Sequence, residues 1–378
     1  MINVYYWCPF IGNVATIKAV INSASSLIKY SNNQMLPTII NSCGEWDNFG
    51  KILTEKKIYL KTFKNFFKIN TRTSGYLKSR IVYLLIFISC FFLLKKTLKK
   101  DQPTYLIAHL ITSLPIFLYL IFNFKTKLVI RVSGKIKMNI FRKTLWKLCK
   151  KNIAFIACPT KETQLEIQEL KLLDNSKIIY LPDPIIDINE IVKQKQNIEN
   201  TNLTNNFFVT IGRYSRQKNH LLIIKCFKNI IKINNNINLL IIGNGELKKK
   251  YISEIHHLNL EDKIKLIEHS NNIPFYLNKA IGLISTSLWE DPGFVMIEAA
   301  ACNTFVISSD CPSGPKEFIG NDSGILFKNN NIKNLEESIL KYLSMDQEEV
   351  LKRKINAKKK SVNFTKFRHF KILSSQLI

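Results

Sequence analysis

Short apolar runs alternate with longer segments of helical period along most of this chain. Val4-Tyr5-Tyr6-Trp7, Pro37 to Ile40, Thr104 to Leu110, Lys127 to Val132, Ala154 to Cys158 and Ile178 to Leu181 each read as a strand. Near-continuous apolarity marks strands covered on both faces, as in parallel sheets. Between the first two, Val14 to Ser31 carries apolar residues near helical period. The rhythm returns later, with strands predicted at Phe207 to Ile211, Asn238 to Ile242, Lys263 to Leu266, Ile281 to Ile284 and Phe305 to Ile307. Strand, loop, helix, strand is the unit of a doubly wound α/β sheet. A chain of 378 residues exceeds one ordinary core, so two such domains are expected. Residues 1–187 form the first. Residues 188–206, rich in Asn, Gln and Lys, read as a linker. Residues 207–350 form the second, and 351–378 a C-terminal helix with a basic run.

One segment breaks the rhythm. Ile81 to Leu94 runs for fourteen residues without a charge. A membrane-spanning helix needs about 20, so the run is expected to be mostly a buried core helix of the first domain. The alternative is an edge that touches a membrane, with Arg80, Lys95, Lys96, Lys99 and Lys100 on the headgroups. Arg142, Lys143, Lys147, Lys150 and Lys151 flank Trp146 on another predicted helix. That helix suits either an anionic surface or plain solvent.

Composition changes the picture in two ways. Hydrophobic residues make up 46% and charged residues 22%, which is globular. The net charge of +27 attracts phosphates, whether of a nucleotide, an anionic lipid or a nucleic acid. The lysines are dispersed and no nucleic-acid-binding motif occurs, so nucleic acid is not an expected partner. A basic, non-enzymatic nucleic-acid-binding protein stays as the rival reading. Six histidines and eight cysteines show no metal spacing, and there is no Asp-x-Asp motif. No metal and no cofactor is therefore expected. Scattered cysteines in apolar runs fit a reducing cytoplasm, with the inner face of the membrane as a peripheral alternative. The start of the chain lacks the basic segment and cleavage site of a signal peptide.

The chemistry concentrates in Ile281 to Phe318. Glu290 closes the strand segment, Asp291-Pro292-Gly293 turns, and Glu298 is expected in the first turn or so of a helix. Two carboxylates eight positions apart across such a turn can accept hydrogen bonds from one polyol. Gly293 permits close backbone approach, and the free N–H groups of the helix start, near Phe294 and Val295, favour an anion. Upstream, the strand Phe207 to Ile211 runs into Gly212-Arg213 and Lys218, ahead of a helix starting near His220. Two cations at a helix start suit a diphosphate. Gly243-Asn244-Gly245 follows the next strand. In the first domain, His109 and Arg131 lie near the carboxyl ends of predicted strands. Arg131 reads as a ligand of a phosphate or of an acceptor group, or as half of an inter-domain ion pair. Gly12 reads equally as a turn glycine or a cleft residue.

The Glu290–Glu298 segment resembles the E-x7-E region of family 4 retaining glycosyltransferases, enzymes of the GT-B fold. The resemblance is strongest over residues 207–340. It implies two Rossmann-like domains facing an inter-domain cleft. It implies a nucleotide-sugar donor, UDP-linked, and a saccharide or lipid-linked saccharide acceptor in lipopolysaccharide, O-antigen or capsule synthesis. Glu298 would bind the donor ribose, and Glu290 with the loop amides the transferred sugar. Arg213 and Lys218 would hold the diphosphate, and Gly243 would lie near the nucleotide. His109 would belong to the active site. Where the common loop has Gly-Phe-Gly, this chain has Asp291-Pro292-Gly293-Phe294-Val295. A related activity on the same fold, such as a nucleotide-sugar epimerase, stays as an alternative.

Overall fold

The computed structural model describes residues 1–10, 15–64, 76–132, 139–196, 206–268 and 270–378, without the side chains of 76–79. The chain divides into two units. Unit 1 is Met1–Pro184 with Lys366–Ile378, and unit 2 is Ile185–Thr365.

Unit 1 runs β1 (Ile2–Trp7), α1 (Thr16–Tyr30), β2 (Met35–Asn41), α2 (Gly50–Glu55), β3 (Tyr59–Thr62), α3 (Tyr76–Asp101), β4 (Tyr105–Ala108), α4 (Ser113–Ile121), β5 (Lys127–Arg131), α5 (Ile140–Leu148), β6 (Ile153–Cys158), α6 (Lys161–Glu169) and β7 (Ile178–Tyr180). Its seven strands pair in parallel in the order β3-β2-β1-β4-β5-β6-β7. The apolar runs become strands because the sheet is covered on both faces. Trp7, Leu106 and Ile130 face one core, Tyr6, Ile107 and Val129 the other.

Unit 2 runs α7 (Ile188–Gln196), β8 (Phe207–Ile211), α8 (His220–Ile233), β9 (Asn238–Ile242), α9 (Lys248–His257), β10 (Ile264–Ile267), α10 (Ile273–Lys279), β11 (Gly282–Ser285), α11 (Phe294–Ala301), β12 (Phe305–Asp310), α12 (Pro315–Ile319), β13 (Ile325–Lys328), α13 (Ile332–Leu343) and α14 (Gln347–Ser361). Its six strands are parallel, in the order β10-β9-β8-β11-β12-β13. The last helix, α15 (Lys366–Leu377), belongs to unit 1.

Three expectations need correction. The supposed linker 188–206 is helical over Ile188–Gln196, and the helix packs on unit 2. Ile191 rests on the core there, and Lys195 donates to the Cys302 carbonyl at 3.1 Å. Lysine and asparagine masked its amphipathic pattern. The C-terminal segment is not one helix: α14 stays with unit 2, and only α15 returns to unit 1. There it is held by Leu373 and Leu377 in the core and by His369, whose Nδ1–H donates to the Pro182 carbonyl at 2.7 Å. Finally, Ile81 to Leu94 is the middle of a 26-residue helix and is not mostly buried. A charge-free run sets the apolar stretch, not the helix, and the lysines beyond it prolong α3.

Candidate active site

In unit 2 the strand order reverses between β8 and β11. Crevices of open α/β sheets lie outside the carboxyl ends of strands at such a switch point. From β8 come Gly212 and Arg213; from β11 come Thr286, Ser287 and Glu290. The Thr286 hydroxyl reaches the carbonyls of Lys218 and Asn219 at 3.0 and 3.1 Å, and Leu288 N–H donates to the Gln217 carbonyl at 2.8 Å. These bonds fasten the two strand-end loops together. They bring Lys218 Nζ to 2.6 Å from Glu290 Oε1. The same oxygen accepts from the Ser287 hydroxyl at 2.5 Å. Glu290 is only 7% exposed, and a carboxylate so enclosed requires partners of this kind.

Beneath the pair, buried His220 fixes the β8 loop. Its Nε2 lies 3.3 Å from the Gly212 carbonyl, so that nitrogen carries the proton. Burial pushes its pKa down to about 4. Arg213 is exposed and makes no ion pair among the described residues. Gly243 lies close to the β8 loop, because a Cβ there would stand 2.0 Å from the Gly212 carbonyl oxygen. Its role in the structure is to let two backbones pass.

The Asp291–Pro292 peptide is cis, and Gly293, at φ +93°, is the N-cap of α11. Met296 N–H bonds back to the Gly293 carbonyl at 3.1 Å. The amides of Phe294 and Val295, first in the helix, therefore have no acceptor within it and are available to an anion. Glu298 is half-buried and stands fifth in α11, at the start of its second turn. Gly314, at φ +115°, lies under this loop; a Cβ would stand 2.3 Å from the Pro292 carbonyl oxygen. Cys311 beside it has its thiol pushed up to about 11, chiefly by burial, so it stays protonated.

Unit 1 treats its candidates differently. Gly12 lies outside the described residues. His109, expected to face a cleft, is buried, with its ring 6.1 Å from that of Tyr6 and its Nδ1 without a hydrogen bond. It lines a cavity of about 10 Å³, near the size of one water. Burial, then Arg131, then His369 hold its pKa well below the ordinary value. Arg131 is likewise buried. It donates to the Leu181 carbonyl and to Asp183 Oδ1, both at 2.6 Å. The ion pair therefore lies inside unit 1 and is not inter-domain. Next to it, a pocket of about 310 Å³ is lined by Tyr83, Thr112, Ser113, Arg131, Arg142 and Trp146.

Reading the sequence misses Ser287, Thr286, Gln217, His220 and Gly314. Ser287 stands three before Glu290, but that spacing also reads as a helix-capping box. The others act through contacts between segments distant in the chain.

Two parallel-sheet, Rossmann-like units give the chain the GT-B fold. It superposes on a glycosyltransferase from Rickettsia africae with TM-score 0.76 at 16% identity, over 99% of this chain and 97% of the other. It also superposes on Anabaena HepE in complex with UDP and glucose, with TM-score 0.73 at 16% identity, over 100% and 99%. Residues 192–360, most of unit 2, match the family model for glycosyl transferases group 1. A curated relative from Campylobacter jejuni is 30% identical over 151 residues, 40% of each chain. It is an N-acetylgalactosamine-N,N'-diacetylbacillosaminyl-diphospho-undecaprenol 4-alpha-N-acetylgalactosaminyltransferase. The aligned segment thus spans two fifths of that relative's length.

Proposed function

We propose that the protein moves a sugar from a UDP-linked donor to a hydroxyl of a saccharide or lipid-linked saccharide, within surface-polysaccharide synthesis. The observation that carries this is the Lys218–Glu290–Ser287 cluster at the switch point of unit 2, beside the open amides of α11. The donor diphosphate takes Lys218 and Arg213 and is capped by the Phe294 and Val295 amides. Glu290, released from Lys218 and still held by Ser287, accepts hydrogen bonds from the sugar. Glu298 accepts from the ribose. The bond between the anomeric carbon and the diphosphate oxygen breaks, the acceptor oxygen forms the new one, and the acceptor proton passes to the departing diphosphate. The cations offset the charge that gathers on UDP as it leaves. Retention of configuration and independence of metal belong to this reading. So does an acceptor held in the unit 1 pocket, where Trp146 and Tyr83 offer rings and Thr112 and Ser113 hydroxyls. The HepE complex with UDP and glucose and the lipid-diphosphate name of the Campylobacter relative support it. They give no support to a nucleic-acid-binding protein or an epimerase.

Thermal denaturation with UDP and UDP-sugars tests the donor. A ligand at a hundred times its Kd stabilises by about 2.7 kcal/mol, so the melting temperature should rise by several degrees. Transfer should survive EDTA. If no nucleotide or nucleotide sugar shifts the transition, the donor assignment falls. If EDTA abolishes transfer and magnesium restores it, the cation mechanism falls.

A further inference from the structure

The helix α3 has two opposite stripes. Val82, Ile86, Cys90 and Leu94 recur every fourth residue and are buried in the unit 1 core. On the other side Ile81, Leu84, Leu85, Ile88 and Phe92 form a continuous apolar row, with Ile88 60% and Phe92 71% exposed. At 1.5 Å per residue the row is about 17 Å long. The same face continues into Lys95, Lys96 and Lys99. Phe92 and the four lysines Lys95, Lys96, Lys99 and Lys100 line a shallow groove of about 480 Å³. Close by, α5 begins with exposed Ile140 and Phe141 ahead of Arg142 and Lys143. Tyr83 of α3 and Arg142 of α5 line one pocket, which shows that the two helices are neighbours.

We infer that unit 1 docks on an anionic lipid surface through this outer face of α3, with the start of α5 beside it. Contiguous apolar rows of this kind are rare on free surfaces and mark a partner. An apolar row with a lysine cluster at its end matches an acyl boundary roofed by anionic headgroups. A polyanion alone would leave the row in water. A second copy would bring like-charged clusters together in a chain of net charge +27. By length and composition Arg80–Asp101 could cross a membrane. Crossing would strip Val82, Ile86, Cys90 and Leu94 from the core, so the helix lies on the surface. The inference goes beyond the transferase reading and does not depend on it. Where both hold, the acceptor pocket opens at the docking face, and the acceptor is lipid-borne.

Flotation of the full chain with vesicles of phosphatidylcholine, alone or mixed with phosphatidylglycerol, tests docking without any sugar transfer. The chain should bind the mixed vesicles and release in high salt. Ile88→Glu with Phe92→Glu should weaken binding more than about tenfold. Lys96→Ala and Lys99→Ala should each weaken it about fivefold. Both positions are exposed, so melting and UDP affinity should stay as in the wild type. No binding by the wild type overturns the inference, as do variants that bind like it. A dimer in light scattering that Ile88→Glu/Phe92→Glu dissolves overturns it in favour of a second copy. Nucleotide binding is read separately, so failure of the donor assignment leaves this result standing.

Discussion

Glu290 and Lys218 neutralise each other in the free protein, and this changes what their substitution should do. A diphosphate must compete with Glu290 for Lys218. Glu290→Gln should therefore keep or raise UDP affinity while lowering turnover on the order of 100-fold, the scale of losing a group at the reacting centre. Glu298→Gln should lower UDP affinity about tenfold, the scale of one charge-assisted bond. Lys218→Met strands a buried carboxylate. The full cost of that is about 3–5 kcal/mol; with the lysine side chain 19% exposed, about 2 is expected. Lys218→Met with Glu290→Gln should regain the stability without regaining transfer. Calorimetric titration with UDP and urea denaturation check all four variants. Reversed affinity losses at the two glutamates would exchange their roles, and an undiminished stability of Lys218→Met would show that the pair holds nothing.

At the scale of elements, the site depends on loops that pass closer than side chains allow. Gly314→Ala places a Cβ against the Pro292 carbonyl in a backbone conformation that alanine avoids. It should cost about 1–3 kcal/mol and disturb the Glu290 loop. Gly50 starts α2 with nothing within 4 Å of the added Cβ, so Gly50→Ala should be neutral or stabilise slightly. Melting curves of the two variants make the comparison. Equal effects would mean that the close approach at Gly314 is not what sets its residue type. Sequence reading finds the central strands of both sheets, whose apolar runs have no other use. It passes over β3, where Tyr59-Leu60-Lys61-Thr62 lies at an edge and never needs to be apolar throughout. It also passes over β13, which closes the other sheet.

At the scale of the whole molecule, three histidines among the described residues are buried neutral. His369 bonds Ser23 and the Pro182 carbonyl, and burial pushes it down to about 3. His220 stands at about 4, and His109 well below its ordinary 6.5. The unfolded chain takes up protons near 6.5 and the folded one does not. Stability is therefore complete above pH 6.5 and is lost as pH falls towards the folded values. The slope is about 1.4 kcal/mol per pH unit for each histidine. Urea denaturation at pH 7 and pH 5 should show the fall, and His369→Gln should be less stable at pH 7 but less sensitive to acid. A flat profile between the two pH values would mean that these rings are not held neutral.

The sequence by itself determined the parallel sheets, the division in two, and the placing of Arg213, Lys218, Glu290 and Glu298 at strand ends and a helix start. Each follows from local order: apolar runs demand cover on both faces, and a turn of Asp-Pro-Gly sends the chain from strand to helix. Only the tertiary structure decided that Lys218 and Glu290, 72 positions apart, are one ion pair under the Ser287 hydroxyl. It alone decided that Arg131 is committed to Asp183, that the residues after Asn206 continue a unit begun at Ile185, and that α3 leaves an apolar row uncovered. The reason is common to these cases. Apolar residues announce that they will be covered but not by what, and a charge does not announce its partner. Both are settled by which segments the sheet order brings side by side.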